Sequence, residues 1–257
     1  MPELRVRLLT IAVAVVLALA VGGCGRRIDF GSEILWEARH EGGDLSEWIG
    51  DGQGGSAADA PMAAIGATTE LAHSGAYSVK MTNTAVADVA ASRVWRESAY
   101  PADAYYSAWY YIPEPYALTA VWTIMQFKGP DANDPSTSRY IIDVDVRSLP
   151  GGELILSVYD HRAAYLRSPT PQTAMALPIG RWFHVEVLYR NFSDDRGRLV
   201  IWLDGQINYD IARPFGINNT VYWSLCSSSY GFSPAEGTIY VDDAAVSLAR
   251  VTPTGSL

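Results

Sequence analysis

The sequence predicts an all-β protein built as a two-sheet antiparallel sandwich. Ten short segments are rich in β-branched and aromatic residues, and clusters of Gly, Pro, Asp and Asn separate them. Beyond the first two dozen residues, no window of about a dozen residues has the periodicity of an amphipathic helix. The predicted strands lie at 77–84, 92–98, 105–113, 120–128, 139–148, 152–160, 181–191, 198–205, 206–212 and 237–249.

Two of these strands have one apolar face and one mixed polar face, as alternation along a strand allows. In 181–191 the residues of one face are Phe183, Val185, Val187 and Tyr189, and those of the other are Trp182, His184, Glu186 and Leu188. In 139–148 the apolar face holds Ile142, Val144 and Val146, and the polar face holds Asp143, Asp145 and Arg147. This pattern is typical of a sheet that packs on one side and meets water or a ligand on the other.

The first 23 residues have the composition of a signal peptide. Arg5 and Arg7 precede an apolar run of about 14 residues, which is shorter than the roughly 20 that a bilayer span needs. The run ends in "VGGC", which resembles the cleavage site of bacterial lipoproteins and implies that Cys24 is lipidated. The expected location is therefore the bacterial cell envelope, with a lipid anchor outside the cytoplasm. An ordinary signal peptide or an uncleaved anchor is the alternative.

The remaining chain is predicted to form one domain. Residues 24–32 form a polar tether, 33–250 a single β-sandwich and 251–257 a tail, with no Pro/Ser-rich linker or internal repeat between them. If Cys24 carries lipid, Cys226 is the one remaining thiol, so the fold depends on its core rather than on a disulfide. The net charge of −9 and the presence of only two lysines exclude nucleic acid as a partner.

The segment "TIMQFKG", 123–129, combines an apolar start with a polar end. Alternation predicts Ile124, Gln126 and Lys128 on one face, and Thr123, Met125 and Phe127 on the other. An amide and an ammonium that point the same way indicate either a polar cleft or a strand that reaches the rim of its sheet. We expect the cleft.

Three stretches resemble concanavalin A-like jelly rolls. "WEARHEGGDLSEW", 36–48, resembles the opening strand and turn of that fold, and 223–247 resembles its closing strands. "IGRWFHVEVLYRN" with "RGRLVIWLDG", in 179–205, resembles the adjacent strand pair of the polysaccharide lyase branch, the heparin lyase I-like proteins. The resemblance implies a jelly-roll sandwich of the lectin/glucanase type. "LAHSGAYSVKM", 71–81, also resembles carbohydrate-binding jelly rolls of the galactose-binding type, which are the alternative fold.

The lyase resemblance implies a set of catalytic candidates. A lyase needs a group that neutralises the uronate carboxylate and a base that removes the neighbouring proton. Gln126 is the implied neutraliser, and Lys128 stands close to where relatives commonly have histidine. His184 and Tyr230 are the candidates for base and acid, and Tyr159 is a further one.

Two features leave the activity open. The segment 222–230 keeps two tyrosines but lacks the lysine that related lyases carry there. An arginine of "SRVWRE" is expected in the site, as Arg93 or Arg96. Hydrolysis is a weaker alternative, because the catalytic Glu-x-Asp-x-x-Glu pattern of hydrolases with this fold is absent from the sequence.

Aromatic and charged residues on the predicted strands indicate a carbohydrate surface. Trp and Tyr combine a flat apolar face with a polar edge, which suits a sugar ring. The candidates for carbohydrate binding are Trp109, Tyr111, Trp122, Asp143, Asp145 and Arg147.

Four acidic residues near the two ends of the domain are candidates for a structural calcium site. Calcium prefers several carboxylate and carbonyl oxygens. Glu41, Asp44, Asp242 and Asp243 supply such oxygens if the first and last strands pair. No grouping of His and Cys indicates zinc.

The sequence thus predicts a cell-surface lipoprotein whose jelly-roll domain binds a polysaccharide. A polysaccharide lyase acting by β-elimination on a uronic-acid polymer is the first alternative, and a glycoside hydrolase or a structural envelope protein the next.

Overall fold

The computed structural model describes residues 33–84, 89–118, 120–130, 138–161, 166–168, 175–215, 221–233 and 235–251. The predicted signal peptide, the tether and Cys24 lie outside these ranges. Within them, no helix has the length and apolarity needed to cross a bilayer.

Two antiparallel sheets form the protein. The strands of sheet 1 are β1 (Ile34–Ala38), β3 (Ala63–Thr68), β4 (Ser78–Asn83), β6 (Asp103–Tyr111), β12 (Trp182–Arg190), β13 (Arg198–Leu203), β14 (Gln206–Ala212) and β17 (Gly237–Ser247). Their spatial order is β14–β13–β12–β6–β17–β4–β3, and β1 pairs with β17 as well.

Sheet 2 supplies the opposite layer. Its strands are β2 (Gly54–Ala58), β5 (Ala90–Ser98), β8 (Trp122–Pro130), β9 (Ser138–Ser148), β10 (Leu154–Asp160), β11 (Leu166–Ser168) and β15 (Val221–Ser229), in the order β11–β10–β9–β8–β15–β5–β2. A short pair, β7 (Ala117–Leu118) with β16 (Phe232–Ser233), and a four-residue helix, α1 (Ser46–Ile49), complete the described elements. The predicted two-sheet jelly-roll sandwich is confirmed.

The core lies between the sheets and is rich in aromatic rings. Tyr106 of sheet 1 meets Phe127 and Trp223 of sheet 2, with ring centroids 5.1 and 5.5 Å apart. All three side chains are fully buried. Each large apolar side chain removed from water contributes about 1.5–3 kcal/mol, so the two layers are held together by this packing.

The predicted alternation is confirmed in β12 and β9. Phe183, Val185, Val187 and Tyr189 of β12, and Ile142, Val144 and Val146 of β9, all belong to the core. The intervening residues therefore point away from the core, on the outer face of each sheet. For β9, this places Asp143 and Asp145 on the outer face of sheet 2.

The alternation predicted for β8 is wrong in its first half. The pairing of β8 with β9 shifts between Thr123 and Met125, which leaves Ile124 as an extra residue. Ile124 and Met125 are both buried in the core, while Thr123 turns outward. Such a bulge resets the alternation, so Gln126 still faces outward.

The turn between β13 and β14 is the Asp-Gly hairpin that the sequence predicts. Asp204 and Gly205 have φ values of 49° and 79°, as the favoured two-residue turn requires.

Candidate functional site

A polar cleft of about 440 Å³ opens on the outer face of sheet 2. Six chemically active side chains line it: Arg93 of β5, Gln126 of β8, Asp143 and Asp145 of β9, Tyr159 of β10, and His161 directly after β10. We call this the sheet 2 cleft.

Strand register places these side chains in one row. Gln126 lies opposite Asp143, and Asp143 lies opposite Tyr159. Neighbouring strands are about 4.8 Å apart, so the row brings amide, carboxylate and phenol within contact of one another. His161 follows Tyr159 by two residues and therefore points to the same face.

Asp143 joins Gln126 to His161. The Gln126 amide Nε2 donates to Asp143 Oδ1 at 3.2 Å, and His161 Nε2 lies 2.8 Å from Asp143 Oδ2. Because a carboxylate accepts hydrogen bonds, this contact places an imidazole proton on Nε2 and leaves Nδ1 as the basic nitrogen of the neutral ring. The ring of Tyr159 meets that of His161 edge-on, with centroids 4.4 Å apart. The arrangement orients an imidazole for proton transfer.

Asp145 and Cys226 form the floor beside this row. Thr123 Oγ1 donates to Asp145 Oδ1 at 2.8 Å. The Cys226 thiol donates to the Thr123 carbonyl oxygen at 3.4 Å, and burial raises its pKa well above the usual range. A thiol held in its neutral form is no nucleophile, so Cys226 is a structural residue here.

The structure decides between the two arginines of "SRVWRE". Arg93 faces the sheet 2 cleft. Arg96 points the other way and is 2% exposed; its guanidinium bonds to the Asp51 carboxylate and to the Trp48 carbonyl oxygen. Only Arg93 can meet a ligand in the cleft.

Two more sequence-predicted residues lie on this face. Tyr230 lines the cleft and is 54% exposed, which places it at the rim. Lys128 is 8% exposed, and its Nζ lies 4.7 Å from the centroid of the Tyr222 ring, next to the cleft rather than within its lining.

His184 does not belong to this site, contrary to the prediction that it shares a cleft with Gln126. It lies on β12 of sheet 1 and faces away from the core, beside the ring of Trp109. The whole core separates it from the sheet 2 cleft. Burial, together with the nearby His73 and Arg250, lowers the pKa of His184 to about 3. Alternation correctly placed it on the outer face of its strand, but the sequence did not show which sheet that strand joins.

The predicted aromatic sugar contacts are also distributed differently. Trp109 and Tyr111 lie on the outer face of sheet 1, where Trp109 stacks on His73 at 3.8 Å and Tyr111 packs against Trp182. Trp122 is fully buried, and its indole donates to Ser227 Oγ at 3.0 Å. None of the three lines the sheet 2 cleft. Of the predicted carbohydrate contacts, Asp143 and Asp145 line it, and Arg147 lies further along the same face of β9.

In the structure each of the four predicted calcium ligands accepts hydrogen bonds from protein groups. Glu41 accepts from the amides of residues 76 and 77, and Asp44 accepts from the Ser46 amide. Asp242 and Asp243 are buried, and their partners are His40, His73 and Ser74. Across the described part of the chain, no group of three acidic, His or Cys side chains could hold a metal.

Sequence reasoning missed His161. The signal that could have found it is its spacing, because it stands two residues beyond Tyr159. It was missed because the sequence does not show how β10 pairs with β9. Alternation from Tyr159 would have placed it on the polar face.

The fold and cleft together define a jelly-roll sandwich with a polar groove on one sheet, and proteins of known structure share this fold. A scan against protein-family models and a search of curated proteins each found no match. The chain is similar to an endo-β-1,4-glucuronan lyase from the fungus Trichoderma reesei, with a TM-score of 0.63, 12% identity, and coverage of 84% of this chain and 96% of that one.

Two further structures are similar to it. The cellulose-induced protein Cip1 gives a TM-score of 0.58 at 15% identity, over 84% of this chain and 98% of that one. A variant of the alginate lyase Aly36B, in complex with an alginate trisaccharide, gives 0.56 at 11% identity, over 84% and 98%. At these identities the likeness establishes the shared fold.

Proposed function

We propose that the protein is a polysaccharide lyase that cleaves a uronic-acid polymer in the sheet 2 cleft. The observation that carries the proposal is the linked set Gln126–Asp143–His161, with Arg93 and Tyr159 in the same cleft. The shared fold with a glucuronan lyase and an alginate lyase supports it, as does the motif resemblance to the heparin lyase I-like branch.

β-Elimination divides the work among these side chains. Arg93 and Gln126 bind the uronate carboxylate, which stabilises the negative charge that develops when the adjacent carbon loses its proton. His161 takes that proton. The electron pair of the broken C–H bond forms a double bond to the next ring carbon, and the glycosidic C–O bond of that carbon breaks.

The leaving oxygen then needs a proton. Tyr159 and Tyr230 both line the cleft, and Tyr159 stands in ring contact with His161. A phenol is a competent donor to an alkoxide. Because Tyr159 is in ring contact with the base, we assign it the acid role, and we place the exposed Tyr230 at the rim as a sugar contact.

The direct test is incubation of the purified protein with polyglucuronate, alginate and other uronic-acid polymers. We expect ultraviolet absorbance from unsaturated products on at least one of them, and loss of that signal in Gln126→Ala, because the variant lacks an amide that neutralises the carboxylate. Trp182→Ala, which changes a half-buried side chain on the outer face of sheet 1, should keep the activity. Absence of unsaturated products on every polymer would reject the lyase.

A non-catalytic binding module is the second candidate, and the acidic floor of the cleft favours it. The carboxylates of Asp143 and Asp145 line the bottom of the cleft and repel a negatively charged polymer. On this hypothesis the protein is retarded in gels that contain a polysaccharide, yet releases no unsaturated product from it.

We also propose that the chain is a lipoprotein of the bacterial cell envelope, anchored through Cys24. The order of basic residues, apolar run and "VGGC" supports this. Cells that express the protein should incorporate labelled palmitate into it, and Cys24→Ser should lose the label, whereas Cys226→Ser should keep it. Equal labelling of Cys24→Ser and the unchanged protein would contradict the anchor.

A further inference from the structure

Trp95 and Tyr222 form an aromatic surface beside the sheet 2 cleft. Trp95 lies on β5 and Tyr222 on β15, with ring centroids 6.0 Å apart and ring planes only 20° from parallel. Both are partly exposed. Lys128 of β8 adds its ammonium 4.7 Å from the Tyr222 ring centroid. We call these three residues the Trp95 platform.

A glycine in the neighbouring strand makes room for the Trp95 ring. A methyl group at Gly55 of β2 would lie only 2.4 Å from the Trp95 ring. Glycine at this position therefore lets the indole lie against the neighbouring strand. Trp95 remains partly exposed in this position.

The platform is continuous with the cleft. Trp95 follows Arg93 by two residues on β5, and Lys128 follows Gln126 by two residues on β8. Two residues along a strand span about 6.5–7 Å. Trp95 and Gln126 both lie opposite Ser224 of β15, so the indole is level with Gln126 and two strand spacings, about 9–10 Å, away from it. The platform therefore borders the residues that bind the reacting uronate, at the distance of a neighbouring sugar.

The chemistry of the platform fits an acidic sugar. A pyranose ring presents C–H groups that pack on an aromatic face, and an ammonium forms a charge-assisted hydrogen bond with a carboxylate. Glu97 is the exposed acid on the same face of β5, and it lies opposite Tyr222. Glu97 would repel a bound carboxylate and Lys128 would attract it.

We propose that the Trp95 platform is a second sugar-binding site, which stacks a uronate residue adjacent to the one that reacts. Lys128 is then a specificity residue rather than a catalytic one. This inference rests on the proposed function for the identity of the polymer. It predicts that the platform contributes to affinity and not to the chemical step.

The test separates binding from turnover. Trp95→Ala should raise the KM for alginate or polyglucuronate about tenfold, with kcat within about twofold of the unchanged protein. Lys128→Met should raise the KM for the same polymer, and Trp95→Phe should recover most of the loss because it restores an aromatic face. Trp182→Ala is the matched control from sheet 1, and melting temperatures establish that each variant is folded.

Gel retardation in the same polymers makes the two proposals distinguishable. An unchanged KM and unchanged retardation in Trp95→Ala would overturn the platform while leaving the lyase intact. If the unchanged protein is retarded without turnover, and Trp95→Ala loses the retardation, the lyase fails and the platform stands.

Discussion

Replacing His161 with alanine is expected to lower kcat on a uronic-acid polymer by about 10²- to 10⁴-fold, the range that general acid–base catalysis supplies. KM should change little, because Arg93, Gln126 and the Trp95 platform still hold the polymer. Initial rates of product absorbance over a range of polymer concentrations measure both quantities.

The expectation follows from the position of the ring. His161 Nε2 faces the Asp143 carboxylate at 2.8 Å, so the basic Nδ1 has a defined direction. Asp143→Asn should lower kcat less than His161→Ala does, because an amide in place of the carboxylate keeps the volume but orients the imidazole less well. Asp143 is therefore a positioning residue.

His184→Leu is the matched histidine control. It lies on the opposite sheet, so its activity should stay within about twofold of the unchanged protein. A His161→Ala variant that keeps more than about a tenth of the rate would remove His161 from the chemistry.

The same His184→Leu variant is expected to resist acid better than the unchanged protein. Burial holds the pKa of His184 at about 3 in the folded protein, against about 6.5 in an unfolded chain. Below pH 6.5 the unfolded state therefore binds a proton that the folded state does not, and stability falls as the pH falls. Leucine does not bind a proton, so the variant lacks this contribution to the fall in stability.

The size of the effect follows from linkage. When the pH falls from 7 to 4.5, His184 lowers the free energy of unfolding of the unchanged protein by about 2.5 kcal/mol. The variant lacks this decrease. Urea unfolding at the two pH values measures it. Other groups also make stability fall in acid. One is Asp51, whose pKa is lowered by its bond to Arg96. Their contribution is the same in both proteins. Equal pH dependence in both would contradict the buried neutral imidazole.

Much of the fold follows from the sequence because alternation is a local property. The apolar faces of β9 and β12 and the turn at Asp204 and Gly205 are set by residues within one or two strands. Packing of these faces then fixes the sandwich.

The site is less predictable, because it depends on which strands become neighbours. His161 enters the cleft only through the pairing of β10 with β9, and His184 leaves it only because β12 joins sheet 1. Gln126 faces the cleft after a bulge that no local signal in β8 indicated. The carboxylates of Asp242 and Asp243 contact the imidazoles of His40 and His73, which are about 170–200 positions away in the chain.

In our proposal the polymer binds on the outer face of sheet 2 and reacts between Arg93 and His161. A crystal structure of Gln126→Ala soaked with an alginate or polyglucuronate oligosaccharide tests it most directly. We expect a uronate carboxylate beside the Arg93 guanidinium, a ring carbon within hydrogen-bonding reach of His161, and the next sugar over Trp95. An oligosaccharide bound instead beside Trp109 and Tyr111, on the outer face of sheet 1, would contradict it.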